Sequence, residues 1–223
     1  MKKAFFITGT DTGVGKTLVS SALLYAFGKQ GWKTAGMKPV AAGCVEENGR
    51  LLSEDVAMLL EAGNTKAGCE LHNPYAFAPP IAPHIAAEAA NVNIRPRIIH
   101  DAYRELSALA DVVIVEGVGG FRVPLGEQFD TADLAQMLNL PVILVVGMRL
   151  GCINHALLTV ETIQARGLEL AGWVANRIDP EMSVFQENLQ TLDQHIAAPC
   201  LGVLPHLPEA DFRQAAEYLQ LTI

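Results

Sequence analysis

Cysteine is scarce and scattered in this sequence. The four cysteines, Cys44, Cys69, Cys152 and Cys200, form no C-x-x-C pair. Paired cysteines are typical of structural zinc sites, and dense cysteines in small secreted chains indicate a disulfide framework. The sequence therefore argues against both kinds of site. It favours a reducing compartment, and we expect a cytoplasmic protein.

A long apolar run and a concentration of positive charge are also missing. The longest apolar stretch, residues 140–148, contains a glycine and is far shorter than the ~20 residues needed to cross a bilayer. The apolar run near the start, residues 4–7, is too short for a signal peptide, whose core needs at least ~7 residues. Lys and Arg number 16 against 24 Asp and Glu, a net charge of −8. We expect no membrane segment and no nucleic acid partner.

Short apolar runs alternate with helical patterns along the 223 residues, half of which are hydrophobic. This length favours one domain, residues 1–223. Apolar runs without alternation predict strands buried on both faces, as in a parallel sheet covered by helices. The predicted fold class is therefore α/β, with a twisted, mainly parallel sheet and helices on both faces. The predicted strands are residues 4–8, 34–40, 112–116, 141–146, 170–176 and 200–204; the predicted helices are residues 16–30, 97–110, 131–138, 153–165 and 182–195.

Two segments are predicted to be irregular. Residues 73–84 contain four prolines, so we expect an ordered loop without regular structure that lies over another part of the molecule. Residues 41–53 are polar and contain glycine, which indicates a surface loop.

A glycine-rich segment follows the first predicted strand and opens the first predicted helix. Residues 9–17 read GTDTGVGKT, the pattern of a phosphate-binding loop, although Thr10 stands where the usual first glycine lies. Backbone N–H groups of such a loop and the helix N-terminus bind phosphate oxygens. Lys16 is expected to contact the β- and γ-phosphates, and the Thr17 hydroxyl to bind Mg²⁺. The segment predicts an enzyme that uses a nucleoside triphosphate.

Two acids are candidate partners of that magnesium ion. Glu116 ends an apolar strand and is followed by glycines, and the carboxyl ends of parallel strands face the ligand crevice. Asp55 follows Ser53, a plausible helix N-cap. It is therefore either a metal ligand or simply an acid that favours the helix dipole.

Further polar residues follow other predicted strands. Lys38 could stabilise charge on a transferring phosphoryl group, or it could be a solvated surface lysine. The amides of residues 145–154, with Arg149, could hold a carboxylate or phosphate, or form a plain strand-to-helix turn. Asn176 could bind a base edge. Its spacing to Asp179 also occurs in guanine-reading loops, but Asp179 is better interpreted as a turn residue before Pro180.

Taken together, these motifs resemble those of the dethiobiotin synthetases, ATP-dependent enzymes of biotin synthesis. The resemblance covers nearly the whole chain, through residues 9–17, 35–40, 73–75, 80–84, 115–120, 150–155 and 172–176. It implies that an amine of 7,8-diaminononanoate captures CO₂ as a carbamate, that ATP phosphorylates the carbamate, and that the second amine closes a cyclic urea and expels phosphate. Such a reaction needs placement and charge neutralisation more than covalent help from the protein.

The resemblance also implies the roles of individual residues. Lys16 and Lys38 would be the catalytic pair, and Thr17, Asp55 and Glu116 would be the magnesium ligands. The positions that match ATP contacts are Gly13, Val14, Gly15, Lys16, Thr17, Leu18, Asp55, Glu116, Gly117, Val118, Gly119, Asn176, Arg177, Pro205, His206 and Leu207. The positions that match substrate contacts are Lys38, Ala42, Arg149, Leu150, Gly151, Cys152, Ile153 and Asn154, and in this family the substrate carboxylate lies at a homodimer interface.

The sequence departs from the family pattern at five positions. Gly13 stands where the family often has Glu, Ala42 where it often has Ser, and Arg149 where it has Lys. Asn188 falls where a Tyr can reach the partner's substrate, and His206 replaces an aromatic residue near the base. These departures leave affinity and nucleotide preference open.

Two rival interpretations use the same fold. A regulatory ATPase of the partitioning type would carry a second Lys where Asp11 stands. A GTP-dependent switch would use Asn176 and Asp179, but it would have no need of Lys38 or of the carboxylate-binding turn.

Overall fold

The computed structural model describes residues 2–47 and 49–221. The strands of this part of the chain are β1 (Lys3–Gly9), β2 (Thr34–Met37), β3 (Val40–Ala42), β4 (Val45–Glu47), β5 (Arg50–Leu52), β6 (Tyr75–Phe77), β7 (Val112–Glu116), β8 (Val142–Gly147), β9 (Leu170–Asn176) and β10 (Cys200–Leu204). The helices are α1 (Lys16–Lys29), α2 (Glu54–Ala62), α3 (Cys69–His72), α4 (Pro83–Ala89), α5 (Pro96–Leu109), α6 (Thr131–Leu138), α7 (Cys152–Ala165), α8 (Phe185–His195) and α9 (Phe212–Ala216).

The central sheet has six strands in the order β10-β9-β8-β1-β7-β2. Every pair in it is parallel. The chain moves from β1 to one edge of the sheet and later returns to the other side of β1, so the strand order reverses there. Ligands of open α/β sheets bind beyond the carboxyl ends of the strands at such a point.

Both faces of the sheet are covered, which confirms the predicted α/β class. Phe6 and Val113 pack on one face with residues of α5 and α6. Phe5 and Ile114 pack on the other face with residues of α1, α2 and α9. All residues of β7 and β8 are buried, and burial on both sides explains why these strands read as continuous apolar runs.

The predicted strand 34–40 is interrupted. β2 ends at Met37 and β3 begins at Val40, because Pro39 has no N–H to donate to a ladder. In consequence Lys38 lies between two strands, beyond the carboxyl end of β2.

The predictions for the two irregular segments were partly wrong. Within residues 73–84, β6 pairs in parallel with β3, and Pro83 occupies the first turn of α4, where a missing N–H costs nothing. Residues 41–53 contain the antiparallel β4–β5 hairpin. Three-residue strands are too short to show periodicity, so the sequence did not reveal them.

Helix positions differ in smaller ways. α8 begins at Phe185 rather than at residue 182, and α3, α4 and α9 were not predicted. In residues 2–47 and 49–221, none of the helices has the length and apolar character that a membrane crossing requires.

Candidate active site

The segment between β1 and α1 has the backbone of a phosphate-binding loop. Gly13 (φ 72°) and Gly15 (φ 88°) adopt left-handed conformations that side chains disfavour. Gly15 is also the N-cap of α1, and no side chain caps this helix end. The first N–H groups of α1 are therefore available to bind an anion, and the helix dipole favours one there.

Lys16 lies almost buried in this loop, with 7% of its surface exposed. Its Nζ donates to the backbone carbonyl of Asp11 at 2.9 Å. Burial and, next, the nearby ammonium of Lys38 lower the pKa of Lys16 to about 8. Lys16 is thus a cation that the protein holds at a cost, and a bound phosphate would stabilise its charge.

Lys38 is surrounded by acids that come from distant parts of the sequence. Its Nζ lies 2.5 Å from Glu116 Oε1 and 2.8 Å from Asp55 Oδ2, and Glu116 is fully buried. Burial would lower the pKa of Lys38, but the charges of Glu116 and Asp55 outweigh it and raise that pKa above its ordinary value. Burial likewise opposes ionisation of Asp55, whose pKa is nevertheless lowered by Lys38. Lys38 is therefore a permanent cation at physiological pH.

The Thr17 hydroxyl joins the same cluster. Its Oγ1 lies 2.7 Å from Asp55 Oδ1 and 2.8 Å from Glu116 Oε1, although a hydroxyl has only one hydrogen to donate. Glu116 Oε2 is buried without a hydrogen-bond partner. The cluster thus contains more oxygen atoms than it has hydrogens for them to accept, and oxygen atoms are the ligands that Mg²⁺ prefers.

These three residues therefore fit the predicted magnesium ion. In residues 2–47 and 49–221, no group of three or more His, Cys, Asp and Glu side chains is placed to hold a metal. The oxygen set of Thr17, Asp55 and Glu116 contains only two such side chains, and its third member is the hydroxyl.

A cleft of about 880 Å³ opens over this cluster. It brings together candidate residues from five separate segments, namely Gly13, Gly15, Lys16, Thr17, Leu18, Lys38, Ala42, Asp55, Glu116, Val118 and Gly119. Its wall also contains residues that sequence reasoning missed, namely Met58, Val123 and Ala210. Pro80 and Ile81 also line the cleft, so part of the proline-rich segment lies against another part of the molecule, as expected.

The remaining nucleotide candidates lie outside the lining of the cleft. Val14 is buried in the phosphate-binding loop, and Gly117 is buried directly after β7. Asn176 Nδ2 donates to the carbonyl of Val14 at 2.9 Å. The Arg177 guanidinium lies 5.0 Å over the Phe185 ring. Residues 205–207 follow β10. Asn176 thus supports the phosphate loop. A contact with the base stays a prediction for Asn176 and for residues 205–207, and a contact with ATP stays a prediction for Arg177.

The substrate candidates after β8 form an exposed turn. Gly151 (φ 94°) is the N-cap of α7, again without a capping side chain, and Leu150 is 96% exposed. Cys152 is buried, Ile153 half-buried and Asn154 exposed, so Cys152 serves packing. The Cys152 N–H already donates to the Arg149 carbonyl at 3.0 Å, so an anion would meet the other amides of this turn at the N-terminus of α7.

Arg149 links the same turn to the phosphate loop. Its Nη2 lies 2.5 Å from Asp11 Oδ2, and Asp11 lines the cleft. The structure thus brings the turn beside the nucleotide site, although the residues of 150–154 do not line the cleft.

Nearly the whole chain is similar to proteins of known family. The family described as an AAA domain matches residues 3–214. An ATP-dependent dethiobiotin synthetase of Aromatoleum aromaticum is 58% identical over 219 residues, which cover 98% of this chain and 97% of that protein. The chain belongs to the ATP-dependent dethiobiotin synthetase family. A member from Nitrosospira multiformis is 54% identical over 221 residues, 99% of this chain and 96% of that protein.

Solved structures of lower sequence similarity share the fold. The MinD cell division protein of Aquifex aeolicus has a TM-score of 0.57 at 17% identity, with 96% of this chain and 87% of that chain covered. MinD of Pyrococcus horikoshii, complexed with Mg-ADP, has a TM-score of 0.56 at 16% identity, with 93% and 83% covered. At such identities the likeness concerns the fold alone. The family membership separates this chain from the regulatory ATPases that the sequence left open.

Proposed function

We propose that this protein forms dethiobiotin from 7,8-diaminononanoate, CO₂ and ATP, with Mg²⁺ bound beside the phosphates. The observation that carries the proposal is the convergence of Lys16, Lys38, Thr17, Asp55 and Glu116 on one cleft, in a chain 58% identical to a dethiobiotin synthetase.

The proposed reaction has three steps. One amine of the substrate adds to CO₂ and loses a proton, which gives a carbamate. A carbamate oxygen then displaces ADP from the γ-phosphorus of ATP, and a mixed carbamic–phosphoric anhydride results. Finally the second amine attacks the carbamoyl carbon, loses a proton and expels phosphate as the ring closes. Phosphate is a far better leaving group than an oxide, which is why ATP is needed.

Lys16 and the phosphate loop bind the triphosphate in this proposal. Left-handed glycines and an uncapped helix N-terminus leave main-chain N–H groups free for phosphate oxygens. The hydrogen bond from Lys16 to a neutral carbonyl can be exchanged for one to a phosphate oxygen. The exchange is favourable because Lys16 is buried and its pKa is depressed.

Lys38 acts on the substrate side. It lies at the carboxyl end of the sheet, beside Glu116 and Asp55, and lines the cleft together with Lys16. Two ammonium groups on opposite sides of the reacting atoms would neutralise the carbamate and the transferring phosphoryl group. Since its pKa is raised, Lys38 supplies charge and orientation rather than a proton.

Thr17, Asp55 and Glu116 would hold the magnesium ion. When bound, the ion supplies positive charge against the β- and γ-phosphates and fixes their orientation. The residues' own task is to present oxygen atoms at one point, and the convergence of Asp55 and Glu116 on the Thr17 hydroxyl supports this role.

The turn before α7 would bind the substrate carboxylate at the interface of a homodimer. Leu150 is 96% exposed and Leu158 is 54% exposed, with the half-buried Ile153 and Leu157 between them. Apolar side chains beside open backbone amides suit a subunit contact that also encloses a carboxylate.

All four cysteines are free thiols, which supports a location in the reducing cytoplasm.

A direct assay tests the proposed function. Purified protein is incubated with diaminononanoate, isotope-labelled bicarbonate, Mg²⁺ and ATP, and the products are analysed by mass spectrometry. We expect dethiobiotin that carries the label, with ADP and phosphate in equal amounts. A second arm replaces ATP with GTP to measure nucleotide preference. Hydrolysis of ATP without labelled dethiobiotin would contradict the proposal and favour a regulatory ATPase.

A further inference from the structure

Lys38 has a backbone that the central sheet does not hold. The paired residues of β2 and β7 end with Met37 and Val115, and Pro39 offers no N–H. Instead the N–H of Lys38 donates to the carbonyl of His72 at 2.7 Å. The carbonyl of Lys38 accepts from Asn73 Nδ2 at 2.6 Å. Both backbone polar groups of Lys38 are thus bound at the carboxyl end of α3, by its last residue His72 and by its C-cap Asn73.

The Asn73 carboxamide joins two chain segments. Its Nδ2 donates to the Lys38 carbonyl and also to the Tyr75 carbonyl at 3.0 Å. One NH₂ group therefore links the residues just before β3 to the start of β6. These two strands form the small parallel sheet in which Val40 is paired with Tyr75. The backbone of Asn73 is itself fixed, because its N–H donates to the Cys69 carbonyl at 2.8 Å.

We propose that Asn73 is a positioning residue, which sets the place of the Lys38 ammonium through the Lys38 backbone. The inference rests on the proposed role of Lys38 in dethiobiotin formation. Asn73 is not among the residues that line the cleft, so it acts through Lys38 and not on the substrate.

The geometry around Lys38 leaves little tolerance. Its Nζ makes contacts of 2.5 and 2.8 Å to two acids that are held by other elements. If the Lys38 carbonyl loses its donor, the segment can relax by a fraction of an ångström, and the ammonium moves with it. A misplacement of about 1 Å by a residue remote from the chemistry can cost about 100-fold in rate.

Asn64 offers a matched control at the amino end of β2, the strand that ends just before Lys38. Its Oδ1 accepts from the N–H of Thr34 at 2.8 Å, and its Nδ2 donates to the carbonyl of Trp32 at 2.9 Å. Like Asn73, it bridges backbone groups through two hydrogen bonds. Unlike Asn73, it does so at the amino end of β2, away from the cleft.

The test compares Asn73→Ala with Asn64→Ala by kcat, KM for ATP, and thermal unfolding. Each variant loses two hydrogen bonds, so we expect similar drops in Tm. We expect Asn73→Ala to lower kcat about 10- to 100-fold with KM for ATP unchanged, since the phosphate loop is untouched. Asn64→Ala should keep the kcat of the unaltered protein. Asn73→Ser, which retains one donor, should recover part of the lost kcat.

Several outcomes would overturn the proposal. Unaltered kcat in Asn73→Ala would do so, as would equal losses of kcat in Asn73→Ala and Asn64→Ala. If both Asn73 variants fail to fold while Asn64→Ala folds, Asn73 serves folding and not placement. The unaltered protein is measured first, and absence of dethiobiotin there would instead contradict the proposed function.

Discussion

Substitution of Lys38 by Met tests the buried ion pair from which the active site is built. Methionine keeps most of the side-chain volume and removes the ammonium. Glu116 is fully buried, and among the described residues its carboxylate would be left with the Thr17 hydroxyl, at 2.8 Å, as its hydrogen-bond partner. Asp55 is 42% exposed on its side chain, so water can solvate it after the change. The energetic consequence is therefore concentrated on Glu116.

The expected loss of stability is large for a single substitution. Removing one partner of a buried ion pair costs about 3–5 kcal/mol, because the remaining charge is left uncompensated. For a chain of this size, each kcal/mol lowers Tm by about 2–4 °C. We therefore expect Lys38→Met to lower Tm by roughly 6–20 °C in buffer without magnesium or nucleotide.

Thermal unfolding and the dethiobiotin assay together measure the effect. The double variant Lys38→Met/Glu116→Gln removes the uncompensated charge, so most of the lost Tm should return. Dethiobiotin formation should stay abolished in both variants, because neither restores the ammonium. A Tm of Lys38→Met equal to that of the unaltered protein would refute the reasoning, since it would mean that the pair does not form in solution.

Three further predictions follow from the electrostatics of the site. Because the pKa of Lys16 is lowered to about 8, the free enzyme loses this charge above that pH. In a pH series, kcat/KM for ATP should therefore fall above about pH 8. The value of kcat reports the enzyme–substrate complex and should fall only at higher pH. Parallel pH profiles of the two quantities would contradict this. Glu116→Gln should raise the Mg²⁺ concentration needed for half-maximal rate, as a magnesium titration would show, and an unchanged requirement would remove Glu116 from the metal site. Arg149→Gln should raise KM for diaminononanoate while changing stability by less than about 1 kcal/mol, since its pair with Asp11 is partly exposed; an unchanged KM would separate Arg149 from the substrate.

The phosphate loop could be predicted because its signal is contiguous. Residues 9–17 carry the strand boundary, the glycines, Lys16 and Thr17 in one stretch, and the left-handed conformations of Gly13 and Gly15 agree with it. The parallel sheet was predictable for a similar reason, since strands such as β7 are apolar throughout.

The partners of Lys38 could not be predicted in the same way. Lys38, Asp55 and Glu116 are far apart in the sequence, in which Lys38 could equally be a surface lysine and Asp55 an acid at a helix end. Their meeting depends on β2 and β7 being neighbours and on the break at Pro39. The hydrogen bonds of Asn73 were not predicted either. They depend on the pairing of β3 with β6, and these strands are too short to be recognised before they are paired.

The most direct measurement is a crystal structure with Mg²⁺ and a non-hydrolysable ATP analogue. We expect the phosphates on the main-chain amides of residues 13–17, with Lys16 turned from the Asp11 carbonyl to a phosphate oxygen. We expect the magnesium ion among the oxygens of Thr17, Asp55 and Glu116. A nucleotide bound elsewhere, with the loop unchanged and Lys16 still on Asp11, would contradict it.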